Sequence, residues 1–163
     1  MYKSKEYRFA YQQFDDDSLL NTRDRALLIK ARETTEKAYA PYSNFFVGAA
    51  ALLSNKEIVT ATNQENASFP AGICAERVLL SAITSQYGEM AIDTLAISYM
   101  NKKSGVSNHP VSPCGICRQS LVEYQSRVQQ PVRLILGGME GKIIIIDDAS
   151  FLLPFNFNGK DIL

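Results

Sequence analysis

Three cysteines, Cys74, Cys114 and Cys117, make up the whole thiol complement of this 163-residue chain, and all three fall at or near the expected start of a helix. Cys114 and Cys117 form a C-x-x-C within "SPCGICRQS" (112–120), and Cys74 precedes Glu76 by two positions in "AGICAERVLLSAI" (71–83). A spacing of three on a helix puts both sulfurs on one face, where they can grip a tetrahedral ion at two corners. Helix starts carry partial positive charge, which lowers thiol pKa and favours the thiolates a metal requires. With Cys74 as the third corner, the set reads as three sulfurs on one zinc with a fourth position open. Taken alone, the C-x-x-C also fits a redox dithiol or half of a structural zinc site closed by four protein ligands. His109, the sole histidine, lies in the polar loop before Cys114; it is read as a solvated or substrate-side residue rather than as that fourth ligand.

Glu76 carries the chemical question. Three thiolates already outweigh the two charges of zinc, so a further carboxylate beside them costs electrostatically. That cost is tolerable for a working acid with a raised pKa, which holds and passes a proton. The alternative is a first-turn residue favoured by the helix dipole. Residues two apart on a regular helix point in nearly opposite directions, so Cys74 and Glu76 can face one site only at an irregular helix start. Arg77 is either a counter-charge for these anions or a surface arginine.

These residues need a scaffold. From Thr22 to about Tyr39 the pattern is helical and ends before Pro41, because proline biases its predecessor away from helix. "NFFVGAAALLS" (44–54) and "EIVTAT" (57–62) are β-rich runs joined by a short polar turn, a hairpin. A helix follows over 74–86, then a strand at 94–100 and a polar loop at 101–110. A further helix is expected from Ser112 to about Gln125, with Ser112 as N-cap and Pro113 in the first helical position. Strands at 132–138 and 142–147 are separated by too few residues for a crossover, so they pair antiparallel. This order predicts a layered α/β sandwich around a mixed five-stranded sheet with an antiparallel final hairpin. Residues 21–163 are expected to form one domain. Residues 1–20 are read as an extension, in which alternating Tyr7, Phe9 and Tyr11 suit an edge strand or an irregular arm.

Seventeen basic and seventeen acidic residues cancel, so no strong field draws in nucleic acid or anionic lipid. The opening "MYKSKEYRFAYQQF" lacks an unbroken apolar core, and no run approaches a membrane span. An odd cysteine count suits thiolate ligation in a reducing compartment, so cytoplasmic location is expected, with neither membrane nor polynucleotide as partner.

With "CAER" (74–77) and "PCGICRQ" (113–119) in view, the chain resembles the cytidine deaminase family, specifically its small homotetrameric branch. "AYAPYSNFFVGAAAL" (38–52), "NQENASFPAGICAER" (63–77) and "LLPFNF" (152–157) extend the likeness, in order, over most of residues 22–157. The resemblance implies a three-layer α/β/α sandwich and a zinc-dependent hydrolase. Its reaction would convert cytidine and 2′-deoxycytidine to uridine and 2′-deoxyuridine with release of ammonia, in pyrimidine salvage. It implies that Cys74, Cys114 and Cys117 hold the zinc, one ion per subunit, for attack of water at C4 of the base, with Glu76 as proton shuttle. It further implies that Asn63 and Glu65 bind the ribose 3′-hydroxyl, that the backbone around Ala67 contacts ribose, and that the Ala75 N–H contacts the pyrimidine. Phe45 would pack on the base, and Phe157 would come from a neighbouring subunit of a homotetramer with shared sites. Arg77 would restore activation that three thiolates weaken. Taken singly, Phe45 and Phe157 also read as core packing, and Asn63 and Glu65 as polar residues ending a strand.

Three departures stand out. Cys74 occupies a position that is often histidine in the wider class, Phe69 stands where tyrosine is frequent, and Phe46 replaces a frequent proline. The competing functions are a blasticidin-type deaminase, against which "NQENAS" argues, and a non-catalytic zinc-stabilised interaction module.

Overall fold

The computed structural model describes residues 2–162. Its first helix, α1 (Thr22–Thr34), opens at Asn21, whose side chain accepts a hydrogen bond from the Asp24 N–H at 2.9 Å. Leu27, Leu28 and Ala31 form the buried stripe of that helix. The expected run to Tyr39 stops sooner: α1 gives way to a 3₁₀ turn, Thr35–Lys37. Paired threonines explain the tightening, since Thr34 and Thr35 donate their hydroxyls back to the carbonyls of Lys30 and Arg32, each at 2.7 Å.

The strands are β1 (Gln12–Phe14), β2 (Phe45–Leu53), β3 (Ile58–Thr62), β4 (Ile92–Asn101), β5 (Arg133–Gly137) and β6 (Ile143–Ile146). They form one sheet in the order β1-β6-β5-β4-β2-β3. Only β4 and β5 run parallel; the β2–β3 hairpin and the final β5–β6 hairpin are antiparallel, as their short connections require. The sheet thus has six strands, not five. The extra one is Gln12–Phe14 of the extension, which pairs antiparallel with Ile143–Ile145. It satisfies the backbone of an isoleucine run that would otherwise be an open edge. The alternating aromatics just before it are not themselves paired: residues 2–11 carry no regular element, and Phe9 instead rests against Phe151 with ring centroids 5.8 Å apart.

Side-chain alternation along the strands sorts two cores. Ala50, Leu52, Ala96, Ile135 and Ile143 face α1. Ala49, Ala51, Leu53, Leu95, Ile97 and Leu134 face the opposite side, where Leu79, Ile83 and Leu121 come from α2 (Ala75–Tyr87) and α3 (Gly115–Val128). The result is a three-layer α/β/α sandwich. Gly48 lets α1 approach closely, because a Cβ there would lie 2.1 Å from the Ala31 carbonyl oxygen. Among the described residues no helix is long and apolar enough to cross a membrane.

Both site helices begin one or more residues later than the sequence signals indicate. The third helix starts at Gly115 with Cys114 as its N-cap, rather than at Pro113 after a Ser112 cap. Pro113 stays outside the helix, where its carbonyl accepts a hydrogen bond from Arg118 Nε at 2.8 Å. Cys74 is likewise the N-cap of α2.

Candidate active site

The caps decide the geometry. Cys74 (φ −73°, ψ 152°) and Cys114 (φ −67°, ψ 168°) are extended, and neither side chain caps the backbone of its helix. Their sulfurs are therefore free to meet each other and Cys117. Cys74 lies outside the regular helix, so the opposition between residues two apart lapses, and Cys74 and Glu76 line the same cavity.

The three sulfurs lie within 4.8 Å of one another. Cys74 Sγ is 3.8 Å from Cys114 Sγ, which in turn is 3.4 Å from Cys117 Sγ. A tetrahedral zinc with bonds of about 2.3 Å to sulfur requires edges of about 3.8 Å, so the trio fits zinc with little adjustment. Among the described residues no fourth side chain joins the group. Cys117, in the first turn of α3, is buried, Cys74 is half-buried and Cys114 is exposed.

Electrostatics follow from this packing. Hydrogen bonding from the Cys117 thiol holds Cys74 down at about 6, helped by Cys114 and by the charge of Arg77, and opposed by burial and by Glu76. Cys117 is pushed up, first by its bond to Cys74 and then by burial. A metal that binds here takes the three sulfurs as thiolates and displaces the protons they carry. The charge of Arg77 is the smallest of the influences on Cys74. Glu76 is 5% exposed; burial pushes its carboxyl up, while its own backbone N–H and the Cys117 thiol pull the other way. A carboxyl within reach of a ligand sulfur and opening on a cavity is placed to exchange protons there.

That cavity, of about 340 Å³, is lined by Phe45, Asn63, Glu65, Cys74, Ala75 and Glu76, with Tyr99 and Ser112 among its other walls. Asn63 is anchored by strand β2: its Oδ1 accepts from Val47 N at 2.8 Å and its Nδ2 donates to the Phe45 carbonyl at 2.9 Å. One amide N–H and one lone pair remain for a ligand. Glu65 Oε2 accepts from the backbone N–H groups of Tyr42 and Ser43, at 2.9 and 3.3 Å. These bonds, with the Ser43 hydroxyl foremost, hold its carboxyl below the usual range.

Two candidates lie apart from this wall. Ala67 is exposed on the loop after β3. Phe157 is 59% exposed on the C-terminal segment, where its carbonyl accepts from Gln119 Nε2 at 2.7 Å. His109 is not part of the sulfur group; its Nδ1 meets the Tyr99 hydroxyl at 3.1 Å. Tyr99 itself is a site residue that motif reading passes over. Alternation in "TLAISYM" would have found it, since Leu95, Ile97 and Tyr99 share the face that α2 and α3 cover.

The family model for the cytidine and deoxycytidylate deaminase zinc-binding region matches residues 21–131, a span holding all three cysteines and Glu76. The chain belongs to this family. It is 38% identical over 139 residues to a cytidine deaminase of Halalkalibacterium halodurans, an alignment spanning 85% of this chain and 97% of that one. A Mycobacterium tuberculosis (strain H37Rv) cytidine deaminase is 37% identical over 106 residues, covering 63% of this chain and 74% of its own. Among solved structures, the cytidine deaminase of Burkholderia pseudomallei superposes with a TM-score of 0.70 at 34% identity, across 85% of this chain and all of that one. The M. tuberculosis cytidine deaminase structure gives 0.63 at 28% identity, across 84% and 98%. As a member of a zinc-binding deaminase family, this chain has its metal site in the Cys74–Cys114–Cys117 group.

Proposed function

We propose that this protein is a zinc-dependent cytidine deaminase, hydrolysing cytidine and 2′-deoxycytidine to uridine and 2′-deoxyuridine with release of ammonia. The observation that carries this reading is the convergence of three sulfurs, two of which, those of Cys74 and Cys114, line with the buried Glu76 the cavity that also exposes Asn63 and Glu65. Zinc, when bound, supplies the Lewis acidity that makes water nucleophilic at neutral pH. Glu76 takes the proton of the attacking water and hands it to N3 of the base, then takes the remaining proton from the new C4 hydroxyl and delivers it to the departing amine. Asn63 and Glu65 hold the ribose 3′-hydroxyl with the donor and acceptor capacity their backbone anchors leave over. Reading the sugar through its 3′ position leaves the 2′ position open to either nucleoside. The Ala75 N–H and the backbone at Ala67 contact pyrimidine and ribose, and Phe45 packs on the base.

Phe157 belongs, in this reading, to a neighbour's site within a homotetramer. Its exposure supports this, as does that of Phe69 and Ile116, apolar surface that assembly would cover. The assembly acts in pyrimidine salvage in the cytoplasm, without a nucleic-acid partner, in keeping with a net formal charge of zero. Residues 21–163 form its catalytic unit.

The test follows loss of ultraviolet absorbance with cytidine for wild type and Glu76→Gln at equal zinc content. Wild type is expected to turn over, and the variant to lose about a thousandfold or more in kcat. A zinc-replete wild type without turnover would overturn the reading in favour of a zinc-stabilised interaction module.

A further inference from the structure

Tyr99 has no role in the chemistry described so far, yet it is a large aromatic of the cavity wall beside Phe45. It is 2% exposed on β4, and its ring lies parallel to that of Phe45, centroids 4.8 Å apart and planes 14° off. At its hydroxyl end the His109 imidazole lies with its centroid 5.6 Å from that of Tyr99, inclined at 64°, and its Nδ1 is 3.1 Å from the hydroxyl. Phe45, Tyr99 and His109 therefore make a connected chain from the cavity to the loop that leads into Cys114.

That loop is a firm abutment. Ser107 Oγ accepts from Asn101 N at 2.9 Å, and the loop lies so close to the β5–β6 turn that a Cβ on Gly138 would fall 2.1 Å from the Ser107 carbonyl oxygen. Phe45, by contrast, is the half-buried first residue of β2, where an unsupported ring could leave its productive rotamer. A ring that must be ordered at every binding event weakens affinity, and a parallel ring behind it removes that cost in advance. The Tyr99 hydroxyl is engaged by His109, so its contribution is one of position.

We propose that Tyr99, braced by His109, is a positioning residue that holds Phe45 against the base of a pyrimidine nucleoside and so sets ligand affinity rather than the rate of the chemical step. The inference rests on the nucleoside reading above and goes beyond it in assigning Tyr99 and His109.

Equilibrium binding of uridine, alongside cytidine kinetics, tests it on zinc-loaded protein. Tyr99→Leu is expected to weaken uridine binding and raise the cytidine KM by about three- to tenfold, with kcat held within about twofold. In a Phe45→Leu background the same change is expected to add nothing, because Tyr99 acts through Phe45. Should Tyr99→Leu fail to fold, Tyr99→Phe and the exposed His109→Ala carry the test, each weakening uridine binding about two- to threefold. Additive effects with Phe45→Leu, or uridine affinity unmoved while wild type turns over cytidine, overturn this inference and leave the deaminase reading intact. Absent turnover with uridine binding that still depends on Tyr99 does the reverse, and a wild type that neither turns over cytidine nor binds uridine overturns both.

Discussion

At the start of α1, Asn21 and Asp24 satisfy each other: the Asn21 side chain accepts from Asp24 N and donates to its carboxylate at 2.8 Å. Arg133 of β5 then grips both carboxylate oxygens at 3.0 and 2.7 Å. At the starts of α2 and α3, Cys74 and Cys114 sit in the same cap position and give their helices no capping bond to the backbone. One end spends its polar groups on the fold; the other two leave sulfurs and helix-start dipoles free for a ligand. The sheet between them thus separates a face that secures α1 from a face that performs chemistry. The division explains how a site with a half-buried cysteine and a buried carboxyl is tolerated.

Mutations can break that division in order of size. Asp24→Ala removes the 1% exposed partner of a buried ion pair and is expected to cost about 3 kcal/mol in denaturant unfolding. The kcat of the protein that remains folded should equal wild type; a parallel fall in kcat would show that the two faces are not separate. Asn21→Ala is expected to cost about 1 kcal/mol, with zinc content unchanged by metal analysis. The smallest effect is the sharpest. Glu76→Gln is expected to leave the unfolding midpoint unmoved or slightly raised, since an amide of the same shape removes a buried ionisable group. A marked loss of stability there would place Glu76 with the structural residues.

Much of this was legible in the residues. Helix order and the two hairpins follow from periodicity and short connections, and the three sulfurs from their spacing. What escaped depended on local backbone. Ser112 and Pro113 are good start signals, but Cys114 takes the cap, and that displacement frees its sulfur. The irregular start that lets Cys74 and Glu76 share a cavity leaves no mark in composition. Gln12–Phe14 is too short and polar to read as a strand; only the exposed edge of β6 makes it one. Alternation in β4 places Tyr99 on the site face, but the ring stacked beside it leaves no mark in the sequence.

The central claim is a zinc held by three sulfurs with its fourth position left to solvent. X-ray absorption at the zinc edge of the metal-loaded protein measures this directly. Three sulfur scatterers at about 2.3 Å and one oxygen at about 2.0 Å are predicted, with the spectrum unchanged in Glu76→Gln. Imidazole scattering, or an oxygen shell lost in that variant, would mean that a side chain closes the site and would contradict the account.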